Sequence, residues 1–376
     1  MTSHTGAKSR VRIKDIADHL GISPRSVSQA LSDTESTTKV SAEKRKKILQ
    51  TARRMGYRPD RMAKALRTGR TGLVGVLVFG FQNPFVIQRL EAVMNAVKEA
   101  GYLPFTQLAR RSREAVEGAL HAMLEARVEG IVVVQPPAAL EAEFFRQSEA
   151  AKTPMVALGG SCLDRVPSFV PDRRKDFRSL VMHVASQGAC SLRLIVGERV
   201  RGNFSKNVLA HENGFTLGFR DGLLEARRAG FPVTGAVTRI DKLDRAAERG
   251  GEVHWLHTPG YRVMRQLLEE GKLPDAILFQ GDVWAQGALR ACAEHGLRIP
   301  EDLMVAGYDN DPGSSAGFIP LTTVAQSHQE LGRLAVDNLL QRISGGEVAN
   351  ALAKTVPGML IARRSSLRVP PSPLDL

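Results

Sequence analysis

Apolar positions recur with two different rhythms along this chain. Through about the first 70 residues they return every three or four positions, the period of a helix. Ile13, Ile16, Ala17 and Leu20 mark one face of a first short helix, roughly Ile13 to His19, with Lys14 to Asp18 on its polar side. "LGIS" interrupts it: Gly21 permits the positive φ of a tight turn, Ile22 plugs the corner, and Ser23 caps a second helix. Pro24 suits the first turn of that helix, where no N–H is needed, and Val27, Ala30 and Leu31 form its apolar face. A third helix starts near Ser41, turns Ile48, Ala52 and Met55 inward, and stops at Gly56.

After Gly72 the rhythm changes. "LVGVLVFG" is a short, nearly continuous apolar run, as in a strand covered on both faces. A helix from about Pro84 to Ala100 follows. "GIVVVQP", "PMVALGG", "LRLIVGE", "DAILFQGD" and "LMVAGYDN" then alternate with helical stretches. That alternation predicts parallel sheets with helices on both faces, and the number of strands suits two of them. The expected fold is an all-α head followed by an α/β core of two parallel-sheet subdomains.

Charge separates the same two regions. The 376 residues carry a net +13, and residues 1–70 alone hold 17 lysines and arginines against 6 acids, a net of +11. A basic head on a near-neutral body is the electrostatic footprint of a nucleic-acid-binding module. Two short helices joined by a sharp turn let the second lie in a major groove while the first crosses the backbone, so the head reads as a helix-turn-helix. Pro24, Arg25 and Gln29 would face base edges, Arg25 suited to guanine and Gln29 to adenine. Ser23, Ser26 and Ser28 suit phosphates, which position without specifying. In "YRPDRMAKALRTGRTG", Pro59 and Asp60 can start a helix with Ala63 and Leu66 on one face and Lys64 and Arg67 on another. It is too short to be helical alone in water, so it orders only against something else.

Cys162, Cys190 and Cys292 lack CxxC spacing, which suits reduced thiols. The start, "MTSHTGAKSRVRIKD", lacks the apolar run of a secretory signal, and the longest apolar run is far short of a membrane span. A cytoplasmic location without membrane contact is expected. His254 and His257 in "HWLH" have no further ligand at metal spacing. Nucleotide-phosphate, nucleophile-elbow and metalloprotease motifs are absent, so neither catalysis nor a cofactor or metal is expected.

"IKDIADHLGISPRSVSQAL", "GYRPDRMAKALRTGRTGLVGVLV", "NPF", "VEGIVVV", "LRIPEDLMVAGYDN" and "PLTTVAQ" together resemble the lactose-repressor (LacI/GalR) family of bacterial transcriptional regulators, in order and over nearly the whole chain. The resemblance implies a helix-turn-helix domain over 1–57, a hinge helix and linker over 58–71, and a core over 72–376 that binds effector and dimerises. That core would be periplasmic-binding-protein-like, with an N-subdomain of about 72–171 and 327–355 and a C-subdomain of about 172–326 and 356–376, crossed near Asp172, Gln326 and Val356. Ala63, Lys64 and Leu66 would form a minor-groove hinge, with Leu66 wedging into a base step. Partners would be a near-palindromic DNA operator, a second copy of the chain, and a small-molecule effector such as a sugar or sugar derivative. Effector contacts would come from Phe85, Trp255, Asp282, Asp309 and Gln326, near strand ends and a crossing.

Two positions depart from the family pattern. An arginine usual four residues before the aromatic Phe219 is Phe215 here, and the strand end "ALGGS" carries no acid. The expected function is a sequence-specific DNA-binding regulator, read as a repressor, whose operator affinity follows an effector in the core cleft. Its rivals are a solute-binding protein, against which the basic head and missing secretion signal speak, and a DNA-binding head fused to a sugar-metabolising enzyme, against which the missing phosphate motif speaks.

Overall fold

The computed structural model describes residues 11–31, 40–58, 65–66, 68–109, 113–136, 152–159, 166–197, 213–240, 258–346 and 353–368. The chain divides into two compact units, Met1–Thr71 and Gly72–Leu376.

The first unit contains helices α1 (Ile13–Leu20), α2 (Pro24–Ala30) and α3 (Ala42–Arg54). Their spacing places Ile16, Ala17, Val27, Ala30, Ile48 and Ala52 in one small core, with Leu20, Ile22, Leu31, Met55 and Tyr57 packed around it. Each fully buried Ile or Val in it contributes about 1.5–3 kcal/mol. Gly21 takes φ +62°, and the next N–H, that of Ile22, reaches back 3.0 Å to the carbonyl of Ala17. That left-handed residue turns the chain sharply between α1 and α2.

Among the described residues, the second unit holds three sheets. A six-stranded parallel sheet has the order β11-β5-β4-β3-β1-β2. Its strands are β1 (Leu73–Val78), β2 (Leu103–Leu108), β3 (Gly130–Val134), β4 (Met155–Leu158), β5 (Ser168–Pro171) and β11 (Ala353–Val356). A four-stranded parallel sheet has the order β7-β6-β8-β9, from β6 (Ser191–Gly197), β7 (Thr234–Ile240), β8 (Ala276–Phe279) and β9 (Met304–Ala306). Helices α4 (Pro84–Glu99), α5 (Arg113–Glu125) and α11 (His328–Ile343) accompany the larger sheet. Helices α6 (Arg173–Ser186), α7 (Gly214–Arg228), α8 (Thr258–Glu270) and α9 (Asp282–Glu294) accompany the smaller one. A short α10 (Pro312–Ala316) follows β9. Helices on both faces explain why β3, β4 and β8 are buried along their whole length and read as unbroken apolar runs.

One feature departs from the expectation of parallel sheets alone. β10 (Thr323–Ala325) and β12 (Met359–Ile361) pair antiparallel as a separate two-stranded sheet. They flank the points where the chain passes between the larger sheets. The passages are bonded side by side: Asp172 N–H donates to the carbonyl of Val356 at 2.8 Å, and Ser327 Oγ donates to the carbonyl of Pro357 at 2.8 Å. The last long helix, α11, therefore returns to the first sheet, where Leu331, Ala335, Val336 and Leu339 join Val74, Val132 and Val156 in one core.

Candidate functional sites

In the head, Ser23 is the N-cap of α2. Its Oγ accepts from Ser26 N at 3.2 Å and lies 2.9 Å from Ser26 Oγ, so these two hydroxyls hold the helix start as well as facing outward. Pro24 and Arg25 are exposed on the first turn, while Ser28 and Gln29 are half-buried one turn later. Five cations, Lys44, Lys46, Lys47, Arg53 and Arg54, are exposed on α3. Of the hinge positions, Ala63 and Lys64 lie outside the described residues. Leu66 is helical and 86% exposed, an apolar side chain without cover in its own unit.

The core's polar residues gather at the carboxyl ends of the parallel strands. Beyond β3 and β4 stand Gln135 (φ +56°) and Gly159 (φ +64°); beyond β9 stand Asp309 (φ +116°) and Asn310 (φ +53°). Left-handed backbone at non-glycine residues costs of order 1–3 kcal/mol and concentrates at functional sites. At Asp309 it is held by its N–H on the carbonyl of Val324 (3.0 Å) and by Asn310, whose side chain accepts from Arg363 Nη2 at 2.7 Å.

Arg89, from α4, occupies the centre. It is 1% exposed, and its two terminal nitrogens donate to Gln135 Oε1 and, at 2.5 Å, to Gln326 Oε1. Gln326 in turn donates to Asp309 Oδ1, so one chain of hydrogen bonds runs from the larger sheet through the crossing to the smaller sheet. The ring of Phe85 stands 5.1 Å from the Arg89 guanidinium. The glycine at 159 makes room for that guanidinium: a Cβ there would come within 1.9 Å of Arg89 Nη1. Burial lowers the Arg89 pKa to about 10, with the charge of Arg173 pushing the same way and that of Asp309 opposing. Buried nearby, His328 has neither ring nitrogen bonded, and burial, reinforced by Arg89, takes its pKa down to about 3 and keeps it neutral.

The acids of the smaller sheet differ from one another. Asp282 is fully buried and accepts from Ser314 Oγ (2.6 Å), Thr323 Oγ1 (2.6 Å) and Asp311 N (2.9 Å). Its carboxylate ties the loop after β9 to α9, with all three donors supplied from within the protein. Asp309 is driven toward its neutral form by burial and by the charges of Asp311 and Asp282. Asp311 is 2% exposed with both oxygens unbonded, and burial with the charge of Asp282 raises its pKa to about 7.

Phe215, where the family pattern has arginine, packs edge-on against Phe177 (4.9 Å between ring centres) and Tyr308 (5.3 Å). Over its ring, at 4.8 Å, lies the guanidinium of Arg173 from the first turn of α6. Tyr308 donates to Asp176 at 2.8 Å, and Asp176, raised by burial to about 6, also accepts from Gly358 N at 2.7 Å. Trp255 lies outside the described residues. Phe85, Asp309 and Gln326 are thus joined around Arg89. Sequence inspection missed Arg89, Gln135 and Arg173. Arg89 had left a signal: it sits three residues after Val86 and four before Val93 on the inward face of α4.

Among the described residues no group of three histidines, cysteines or acids is placed to hold a metal ion, and no helix is long and apolar enough to cross a membrane.

Residues 12–60 match the family model described as bacterial regulatory proteins, lacI family, and residues 182–366 match the periplasmic binding protein-like domain. The chain is 29% identical over 360 residues to the lactose operon repressor of Escherichia coli (strain K12), covering 95% of this chain and 91% of that protein. It is 28% identical over 369 residues to the HTH-type transcriptional repressor PurR of Erwinia tasmaniensis, covering 94% and 96%. Among solved structures, the lac repressor dimer bound to operator and the anti-inducer ONPF aligns with a TM-score of 0.71 and 26% identity, over 96% of this chain and 100% of that one.

Proposed function

Because this chain belongs to the lacI family of bacterial regulatory proteins, we propose that it is a transcriptional repressor whose grip on an operator follows the occupancy of its core cleft. It acts as a homodimer, so the operator is a near-palindrome. It works in the cytoplasm and by binding alone, with no reaction catalysed; its relatives are repressors.

The observation that carries this reading is the exposed first turn of α2, held at an angle to α1 by the left-handed Gly21. That turn presents Pro24 and Arg25 to base edges, with Gln29 behind them, while Ser23, Ser26 and Ser28 meet phosphates. The hinge segment with Ala63, Lys64 and Leu66 enters the minor groove, where the bare Leu66 side chain finds its cover between base pairs. In the core, Phe85, Asp309, Gln326 and Trp255 contact the effector, with Asp282 bracing Asp309's loop. An effector moves the equilibrium only by preferring one arrangement of the subdomains over the other.

Quantitative binding of Arg25→Ala to operators varied one base pair at a time tests the assignment. Discrimination of about 1–3 kcal/mol should vanish at one position of each half-site. Uniform weakening on every sequence would reduce Arg25 to a phosphate contact.

A further inference from the structure

We propose that the effector of this chain is an anionic polyol: its carboxylate or phosphate is taken by Arg89 and Arg173, and its hydroxyls by Asp309 and Gln326. This rests on the reading of the cleft as an effector site and names the ligand class that the site selects.

Arg89 carries a full positive charge at 1% exposure, yet its bonded partners are the neutral amide oxygens of Gln135 and Gln326. Its Nε is buried without a partner, and among the described residues it forms no ion pair. The acid whose charge reaches it, Asp309, is separated from it by the Gln326 amide and is itself crowded by Asp282 and Asp311. Buried charges are ordinarily paired. A guanidinium with a free N–H edge offers the fork that fits a carboxylate or phosphate.

A second cation stands in reach. Arg173 lies over Phe215, and its Nε is also buried and unpartnered. Its charge lowers the pKa of Arg89, so the two guanidiniums repel each other. An anion between them removes that repulsion and supplies both free N–H groups with acceptors. Gly159 has no Cβ because the Arg89 guanidinium fills that space, which fixes where the buried cation sits. A neutral sugar leaves both charges uncompensated. Asp309 and the amide of Gln326, bonded to each other, carry the acceptors and donors that hydroxyls need. The charge pattern across the cleft thus prescribes a molecule with one acidic end and one hydroxylated end.

Thermal unfolding of the full-length protein tests this with defined probes. Sodium phosphate and sodium acetate are compared with sodium chloride at equal ionic strength, and then glucuronate and glucose 6-phosphate with glucose. The wild type is expected to gain melting temperature with phosphate or acetate over chloride, and with at least one of the acidic sugars over glucose. The better arm tells phosphate from carboxylate. Arg89→Met should lose the gain and Arg173→Met should reduce it; Arg173, being half-exposed, keeps the test decisive if Arg89→Met does not fold. No anion-specific gain in the wild type, or an equal gain in the variants, overturns the proposal. Operator binding of the wild type, read on the same samples, judges the repressor reading separately: its loss would sink that reading and leave the anion result standing.

Discussion

Around the cleft, the six-stranded sheet gathers Arg89, Gln135 and Gly159, whereas the four-stranded sheet gathers Asp282, Asp309 and Asp311. The first wall presents one cation bonded to neutral groups. The second presents three acids in unequal states: one saturated with hydrogen bonds, one bonded to Gln326, and one whose carboxyl oxygens have no hydrogen bond. The difference separates two uses of a buried charge. Asp282 is a rivet, because its three donors, from the loop after β9, from α10 and from β10, leave its carboxylate saturated. Arg89 is a receptor, because part of its bonding capacity is left open.

Substitutions at the two walls should separate these uses. The largest effect is expected at Gly159→Ala, which adds a Cβ against Arg89 at a left-handed residue. A loss of about 2–5 kcal/mol in denaturant unfolding is expected, and Arg89→Met in the same chain should recover much of it. No recovery would mean that backbone strain, not the guanidinium, dictates the glycine. Next comes Asp282→Ala, which strands the Ser314 and Thr323 hydroxyls and the Asp311 N–H; it should cost about 3 kcal/mol. A change below about 0.5 kcal/mol would remove the rivet.

The smallest effect is a pH dependence. The folded-state pKa of Asp311, about 7, lies above its unfolded value. The stability linked to this group is therefore fully present below about pH 4 and is lost as pH rises through about 7. Asp311→Asn has no charge to bury, so it should melt about 3–6 °C above wild type near pH 8 and level with it near pH 4. A constant offset at both pH values would show that the carboxylate does not titrate in this window.

Legibility in the sequence followed the length and continuity of each apolar pattern. The three helices of the head were visible because each buries one apolar face at helical spacing, and the central strands β1, β3, β4 and β8 because both their faces are covered. β2, β7 and β11, edge strands among the described residues, were not seen, since "LPFTQL", "TGAVTRI" and "AKTV" mix apolar and polar residues; β5 was missed although buried, because four residues ending in Pro171 show no clear run. β10 and β12, three residues each, are too short to show a period. Asp309 and Gln326 were expected to contact a ligand through family resemblance; that Arg89 joins them could not be seen, because 237 positions separate Arg89 from Gln326. A lone arginine at an inward helical position was the readable trace of it. Arg173 left none, because its partner ring, Phe215, belongs to another helix.

The three passages of chain between the large sheets lie bonded flank to flank, at Asp172, Ser327 and Pro357. Mechanically, they form a strap of parallel leaves. Such a strap folds readily about the line across its leaves but resists shear and twist, since either would slide one leaf along the next and break those bonds. Closure of the core around a ligand is thereby channelled into a single swing, and whatever free energy the ligand supplies is delivered along that one coordinate instead of being scattered among many.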